Sequence, residues 1–160
     1  MTTAHVKATD LILELDALAT TCTSGEALMK AIVALLHGKL TRYNWVGFYV
    51  LEKEGDCDML VLGPFKGAMT PRIPLNQGIC GAAACNGKTV VVDDVNSDPR
   101  YLACSLDTKS EIVAPVFANG RVAGELDIDS HFLAAFGPDD RKLCEHAASV
   151  LGRFLEEFRY

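Results

Sequence analysis

Cys80 and Cys104 stand 24 residues apart in settings of opposite kind. Cys80 lies in a glycine-framed turn, QGICGAA, and Cys104 in a polar stretch, DPRYLACSLDTKSE, that runs into an apolar segment. The hairpin partner of that segment ends in alternating carboxylates, Glu125, Asp127 and Asp129. Thiols that can approach one another beside a cluster of acids suit redox chemistry on a small molecule. The thiolate is the nucleophile, and a nearby carboxylic acid is the proton source.

Each thiol has a plainer alternative. Gly78 and Gly81 around Cys80 permit a sharp bend or close approach to a ligand. If a helix starts there, its unpaired amides favour a thiolate, but a purely structural cysteine fits the same turn. Cys104 has no packing reason to sit among Ser105, Asp107, Thr108, Lys109 and Ser110. Exposed near Lys109 or Arg100, it would have a lowered pKa. Cys22, Cys57, Cys85 and Cys144 read as buried or incidental. No CxxC pair occurs among the cysteines, which excludes thioredoxin-type and zinc-ribbon spacings.

On a strand, Glu125, Asp127 and Asp129 share one face, and Leu126 and Ile128 share the other. A solvated outer face is the ordinary reading of such a pattern. Against it, Asp is a poor strand residue. Asp127 and Asp129 would also repel unless one stayed protonated or a polar group intervened. Glu111 opens the neighbouring strand and is expected near the same end of the sheet.

The elements that must position these groups follow from periodicity. Leu11, Leu15 and Leu18 lie on one stripe of a helix over Leu11–Ala19. Ser24 is a candidate cap for a second helix running to Leu40. Asn44–Glu52 is rich in branched and aromatic residues and reads as a strand, and Met59–Phe65 as its hairpin partner across a five- or six-residue loop. Gly78–Asn86 suits a short helix and Thr89–Val92 a short strand. Asn96–Ser110 is the longest polar connection. Asn119-Gly120 joins strands Glu111–Ala118 and Val122–Asp129 as a two-residue hairpin. Pro138 opens a last helix that reaches about Phe158, with Leu143, Ala147, Leu151 and Leu155 on one face. Grouped strands with flanking helices predict an α+β architecture, an antiparallel sheet with helices packed on one face.

The 160 residues predict one domain, 1–160, large enough to bury a core. A net charge of −6 argues against general binding to nucleic acid or anionic membrane. The opening MTTAHVKATD has no apolar signal core, and no apolar run approaches membrane-spanning length, so a soluble, cytoplasmic protein is expected.

The segments NWVGFY (44–49), LVLGPFKG (60–67), RIPLNQGICGAA (72–83), VVDDV (91–95), LACS (102–105), SEIVAPVF (110–117) and GELDIDS (124–130) together resemble the GAF-domain free methionine-(R)-sulfoxide reductases. The resemblance covers essentially the whole chain. The SE-x-x-x-P pattern and the glycine turn are common to GAF domains. The two cysteines at their interval, together with LDIDS, are more specific. The resemblance implies that Cys104 is the nucleophile and Cys80 the matching thiol of the glycine turn. It places Glu111, Asp127 and Asp129 on the substrate-contacting acids, and Trp45 and Tyr49 on the aromatic wall. It also implies a thioredoxin-type dithiol reductant and no metal or organic cofactor. A homodimer through the first and last helices would fit, as GAF domains often pair. Where the family often has a third, resolving cysteine before the RIP segment, this chain has Thr70, which leaves Cys80 as the candidate resolving thiol. A non-catalytic GAF sensor of a small ligand and a thiol redox switch are the alternatives.

Overall fold

The computed structural model describes residues 8–54, 57–67, 73–74, 83–99 and 108–157. Thr70, Cys80, Cys104 and most of the polar connection expected over 96–110 lie outside them. Three segments with apolar residues at helical spacing are helices: α1 (Ala8–Thr21), α2 (Gly25–Lys39) and α3 (Pro138–Glu157). Ser24 caps α2 from an extended conformation, and its Oγ accepts a hydrogen bond from the Ala27 amide at 3.1 Å. Asp140 in the first turn of α3 accepts from the Gly137 amide at 2.9 Å and from the Tyr43 hydroxyl at 2.6 Å. That pair of bonds ties the start of α3 to the residues leading into the first strand.

The strands are β1 (Trp45–Glu54), β2 (Cys57–Lys66), β3 (Ile73–Pro74), β4 (Val90–Val92), β5 (Ser110–Ala118) and β6 (Arg121–Ser130). They form one sheet in the order β3-β2-β1-β6-β5-β4. Every pairing is antiparallel. Asn119 (φ 54°) and Gly120 (φ 75°) both adopt the left-handed conformation that a tight two-residue hairpin demands. The β1–β2 loop is shorter than expected. Lys53 pairs with Asp58 and Glu54 with Cys57, so two residues rather than five or six connect the strands. The ladder there runs through backbone groups, which pair regardless of the polar side chains that suggested a loop. The strand Ile73–Pro74 was not anticipated; it sits at the sheet edge, where a proline can be accommodated.

Three helices cover one face of the sheet. Val46, Phe48, Ile112, Ala114, Leu126 and Ile128 face Leu11, Leu15, Leu28, Ile32, Leu36 and the buried stripe of α3 in the main core. Cys144 is buried in that core, as the plainer reading of that residue expected. The opposite face is closed as well. Trp45, Tyr49, Leu60, Val92 and Val113 form a second cluster with Ala83, Ala84 and Val95. Residues 83–86 are helical, and Val95–Ser97 form a 3-10 turn capped by Asp94.

α3 lies very close to β5. A Cβ at Gly152 would stand 2.1 Å from the Phe117 carbonyl oxygen. Gly152→Ala is therefore expected to lose about 1–3 kcal/mol through overpacking, although alanine favours the helix by up to about 1 kcal/mol. The urea midpoint is the measurement, and a raised midpoint would mean that helix and strand can separate without cost.

Candidate functional site

Strand register builds the site on the second face of the sheet. Asp129 pairs with Trp45 on one side and Glu111 on the other. Asp127 lies between Gly47 and Val113, and Glu125 between Tyr49 and Pro115. Antiparallel partners carry their side chains on the same face. Residues two apart along a strand also share a face. The acids of β6, Glu111 of β5 and the aromatics of β1 are therefore brought together by pairing alone.

This face is not solvated. Glu125 is 0% exposed, Asp127 3%, and Glu111 and Asp129 5% each. Oxygens of Glu111, Asp127 and Asp129 all lie within 4.8 Å of one another. That spacing would also suit a divalent cation. However, Glu111 is hydrogen-bonded to both aspartates, the arrangement of carboxyls that share protons. Burial first, and then the charges of Asp127 and Asp129, hold the Glu111 carboxyl well above the usual carboxylate range. Burial and the Asp127 charge also raise Asp129, while its hydrogen bond to Glu111 pulls the other way. Both carboxyls are thus pushed towards their neutral, proton-bearing forms. Asp129 Oδ1 is buried with no hydrogen-bond partner among the described residues.

The aromatic wall is wider than Trp45 and Tyr49. Trp45 stacks on Phe65 at 5.9 Å and 21°, and meets Tyr49 at 6.2 Å and 35°. A register shift in the β1–β2 pairing makes this possible. Gly47 faces Phe65 while Tyr49 faces Leu62, so one extra β2 residue brings Phe65 and Leu62 to the same face. Gly47 and Gly67 make room for the indole. A Cβ at either would come within 2.4 Å of the ring, and Gly67 also adopts φ +122°. Phe65, Gly67 and the fully buried Glu125 were not among the expected site residues. Glu125 was visible in the alternation, and a glycine inside the strand WVGFY signals close packing. The role of Phe65 depends on a bulge that sequence alone does not reveal.

All five described candidates, Trp45, Tyr49, Glu111, Asp127 and Asp129, converge on this face. The two thiols cannot be placed, because Cys80 and Cys104 fall outside the described residues. The described ends of their segments approach the site: Ala83 and Ala84 pack in its apolar cluster, and the Lys109 amide donates to the Ser130 carbonyl at 2.7 Å. A cleft of about 480 Å³ beside Lys88, Phe117, Arg141 and Arg153 and one of about 560 Å³ beside Val50 and Arg121 include none of the acids. No helix among the described residues is long and apolar enough to cross a membrane.

The GAF domain family matches residues 24–155. The free methionine-R-sulfoxide reductase of Escherichia coli (strain K12) is 36% identical over 94% of this chain and 90% of its own length. Protein YtsP of Bacillus subtilis (strain 168) is 41% identical over 78% of this chain and 76% of its own. The X-ray structure of free methionine-R-sulfoxide reductase from Neisseria meningitidis in complex with its substrate superposes with a TM-score of 0.88 at 36% identity, covering 95% of this chain and 90% of that one. Fold, buried acid cluster and similarity over nearly the full length agree: the chain belongs to the GAF-domain family of free methionine-R-sulfoxide reductases, which are oxidoreductases.

Proposed function

We propose that this protein reduces free L-methionine-(R)-sulfoxide to L-methionine, as a single GAF domain spanning 1–160. One observation carries the reading. Glu111, Asp127 and Asp129 form a buried, proton-sharing cluster in register with stacked aromatic rings. A sulfoxide needs a proton on its oxygen and an apolar seat for its methyl-thio end, and the two halves of this face supply them. Sulfur packs favourably against aromatic rings.

The steps follow from the residue types. The Cys104 thiolate attacks the sulfoxide sulfur while Glu111, hydrogen-bonded to Asp127 and Asp129, protonates the departing oxygen. The substrate sulfur is reduced by two electrons. The Cys104 sulfur is oxidised by two and keeps the oxygen as a sulfenic acid. The Cys80 thiol then attacks that sulfur, a disulfide forms, and water leaves. A thioredoxin-type dithiol exchanges with the disulfide, is itself oxidised, and restores both thiols. The stretch between Pro99 and Thr108 carries Cys104 and is the proposed lid over substrate. Closure around a free amino acid would exclude the same side chain within a polypeptide. A cytoplasmic location and a homodimer through α1 and α3 complete the reading.

The test is thioredoxin-coupled NADPH consumption with each free methionine sulfoxide epimer. Consumption with the R epimer alone is the expected result. No turnover with either would favour a GAF sensor or a thiol switch.

A further inference from the structure

Trp45 carries a polar atom that its surroundings leave unused. The side chain is 5% exposed, and its Nε1 is buried without a hydrogen-bond partner among the described residues. Buried donors are rarely left unpaired, because leaving one unmade is costly. The orientation of the ring is also built in. Phe65 stacks against it, and Gly47 and Gly67 each leave a space that any larger residue would fill. The donor is therefore held in place rather than left over by a mobile side chain.

Its position identifies the acceptor class. Trp45 pairs with Asp129, which pairs with Glu111, so the indole belongs to the same cross-strand row as the acids. The benzo end of the ring lies against Gly47, the partner of Asp127. A free methionine sulfoxide offers two kinds of oxygen. Its α-carboxylate is an anion and would be repelled by a face with four buried acids. Its sulfoxide oxygen is uncharged overall, strongly polarised, and the atom that the acids must reach.

We infer that the Trp45 indole N–H donates a hydrogen bond to the sulfoxide oxygen and thereby sets the preference for sulfoxide over thioether; this rests on the function proposed above. The oxygen then receives two donors, the Glu111 hydroxyl and the indole. As the thiolate attacks sulfur, negative charge builds on that oxygen, and both bonds strengthen. The product has no such oxygen. Bound methionine would leave the indole N–H orphaned, so the site rejects the thioether as a pocket built around a polar group rejects the analogue that lacks it. The chain can thus select a scarce oxidised amino acid and release the reduced one.

Trp45 is the only tryptophan of the chain, so one indole N–H resonance reports on the site. The experiment titrates ¹⁵N-labelled full-length Cys104→Ser protein, which holds substrate without turning it over, with free methionine-(R)-sulfoxide and separately with methionine. The sulfoxide is expected to move the indole signal downfield and methionine to leave it in place. An indole signal that stays put while backbone amides shift with the sulfoxide overturns the inference and leaves the proposed reaction standing. Equal shifts with both ligands overturn it too. If the sulfoxide perturbs nothing and the native chain does not turn it over, both readings fail. Trp45→Phe gives an independent measure, because it keeps an aromatic ring and removes only the donor. The ratio of sulfoxide to methionine affinity is expected to fall about ten- to a hundredfold, and an equal loss for both ligands would refute the assignment.

Discussion

A Cys104→Ser variant is expected to produce methionine at no more than about a thousandth of the native rate. Serine presents a hydroxyl that stays protonated at neutral pH, whereas a cysteine thiol, with a free pKa of about 8.5, ionises far more readily. In the proposed cycle the thiolate is also the group that accepts the oxygen, and serine has no equivalent of the sulfenic acid to carry the cycle forward. The loss should therefore appear in the first turnover, not only in later ones. Cys80→Ser provides the contrast. It is expected to release about one methionine per chain in a rapid quench without reductant, and then to stall. Chromatographic measurement of free methionine separates the two outcomes. Normal turnover by Cys104→Ser would assign the nucleophile elsewhere. An unaffected steady-state rate for Cys80→Ser would mean that the external dithiol attacks the sulfenic acid directly.

Much of the scaffold was legible because local rules and tertiary packing agreed. Asn119-Gly120 named its turn, and both residues adopt the conformation that the dipeptide favours. Ser24 and Pro138 marked helix starts that the structure keeps. Alternation put Glu125, Asp127 and Asp129 on one face, and pairing of β5 with β6 brought Glu111 beside Asp129. Whether that face was wet or dry was a different matter. Alternating polar and apolar residues usually signal a sheet with one solvated side. Here Ala83, Ala84 and Val95 pack on the polar side as well, and they come from stretches with no strong periodicity. The bulge that aligns Phe65 with Tyr49 was equally hidden, because a single inserted residue leaves no compositional trace. The two thiols mark the limit in the other direction. Spacing and resemblance singled them out, but only the acids and aromatics of the site lie among the described residues.

Glu111→Gln is expected to make the protein a poorer catalyst and a more stable one. The native Glu111 carboxyl is held well above the usual range, by burial first and then by Asp127 and Asp129. The folded state therefore binds a proton more tightly than the unfolded chain, and stability declines with pH. The contribution is complete below the unfolded carboxyl value of about 4.3. It is lost progressively as pH rises from there through the raised folded value, so part of the cost is already in place at neutral pH. Glutamine still donates and accepts towards Asp127 and Asp129 but has no ionisable proton. Removing the penalty should add about 1 kcal/mol at pH 7, worth about 2–4 °C in Tm for a chain of this size. The same change deletes the proposed general acid, so kcat/KM should fall about a hundredfold or more. The pH profile distinguishes this from a packing defect. Native activity should decline at high pH as Glu111 loses its proton, and that limb should disappear in the variant. A variant that kept full activity would move the proton to another group. A lower Tm would mean that the ionised form of Glu111, rather than the neutral one, holds the acid cluster together.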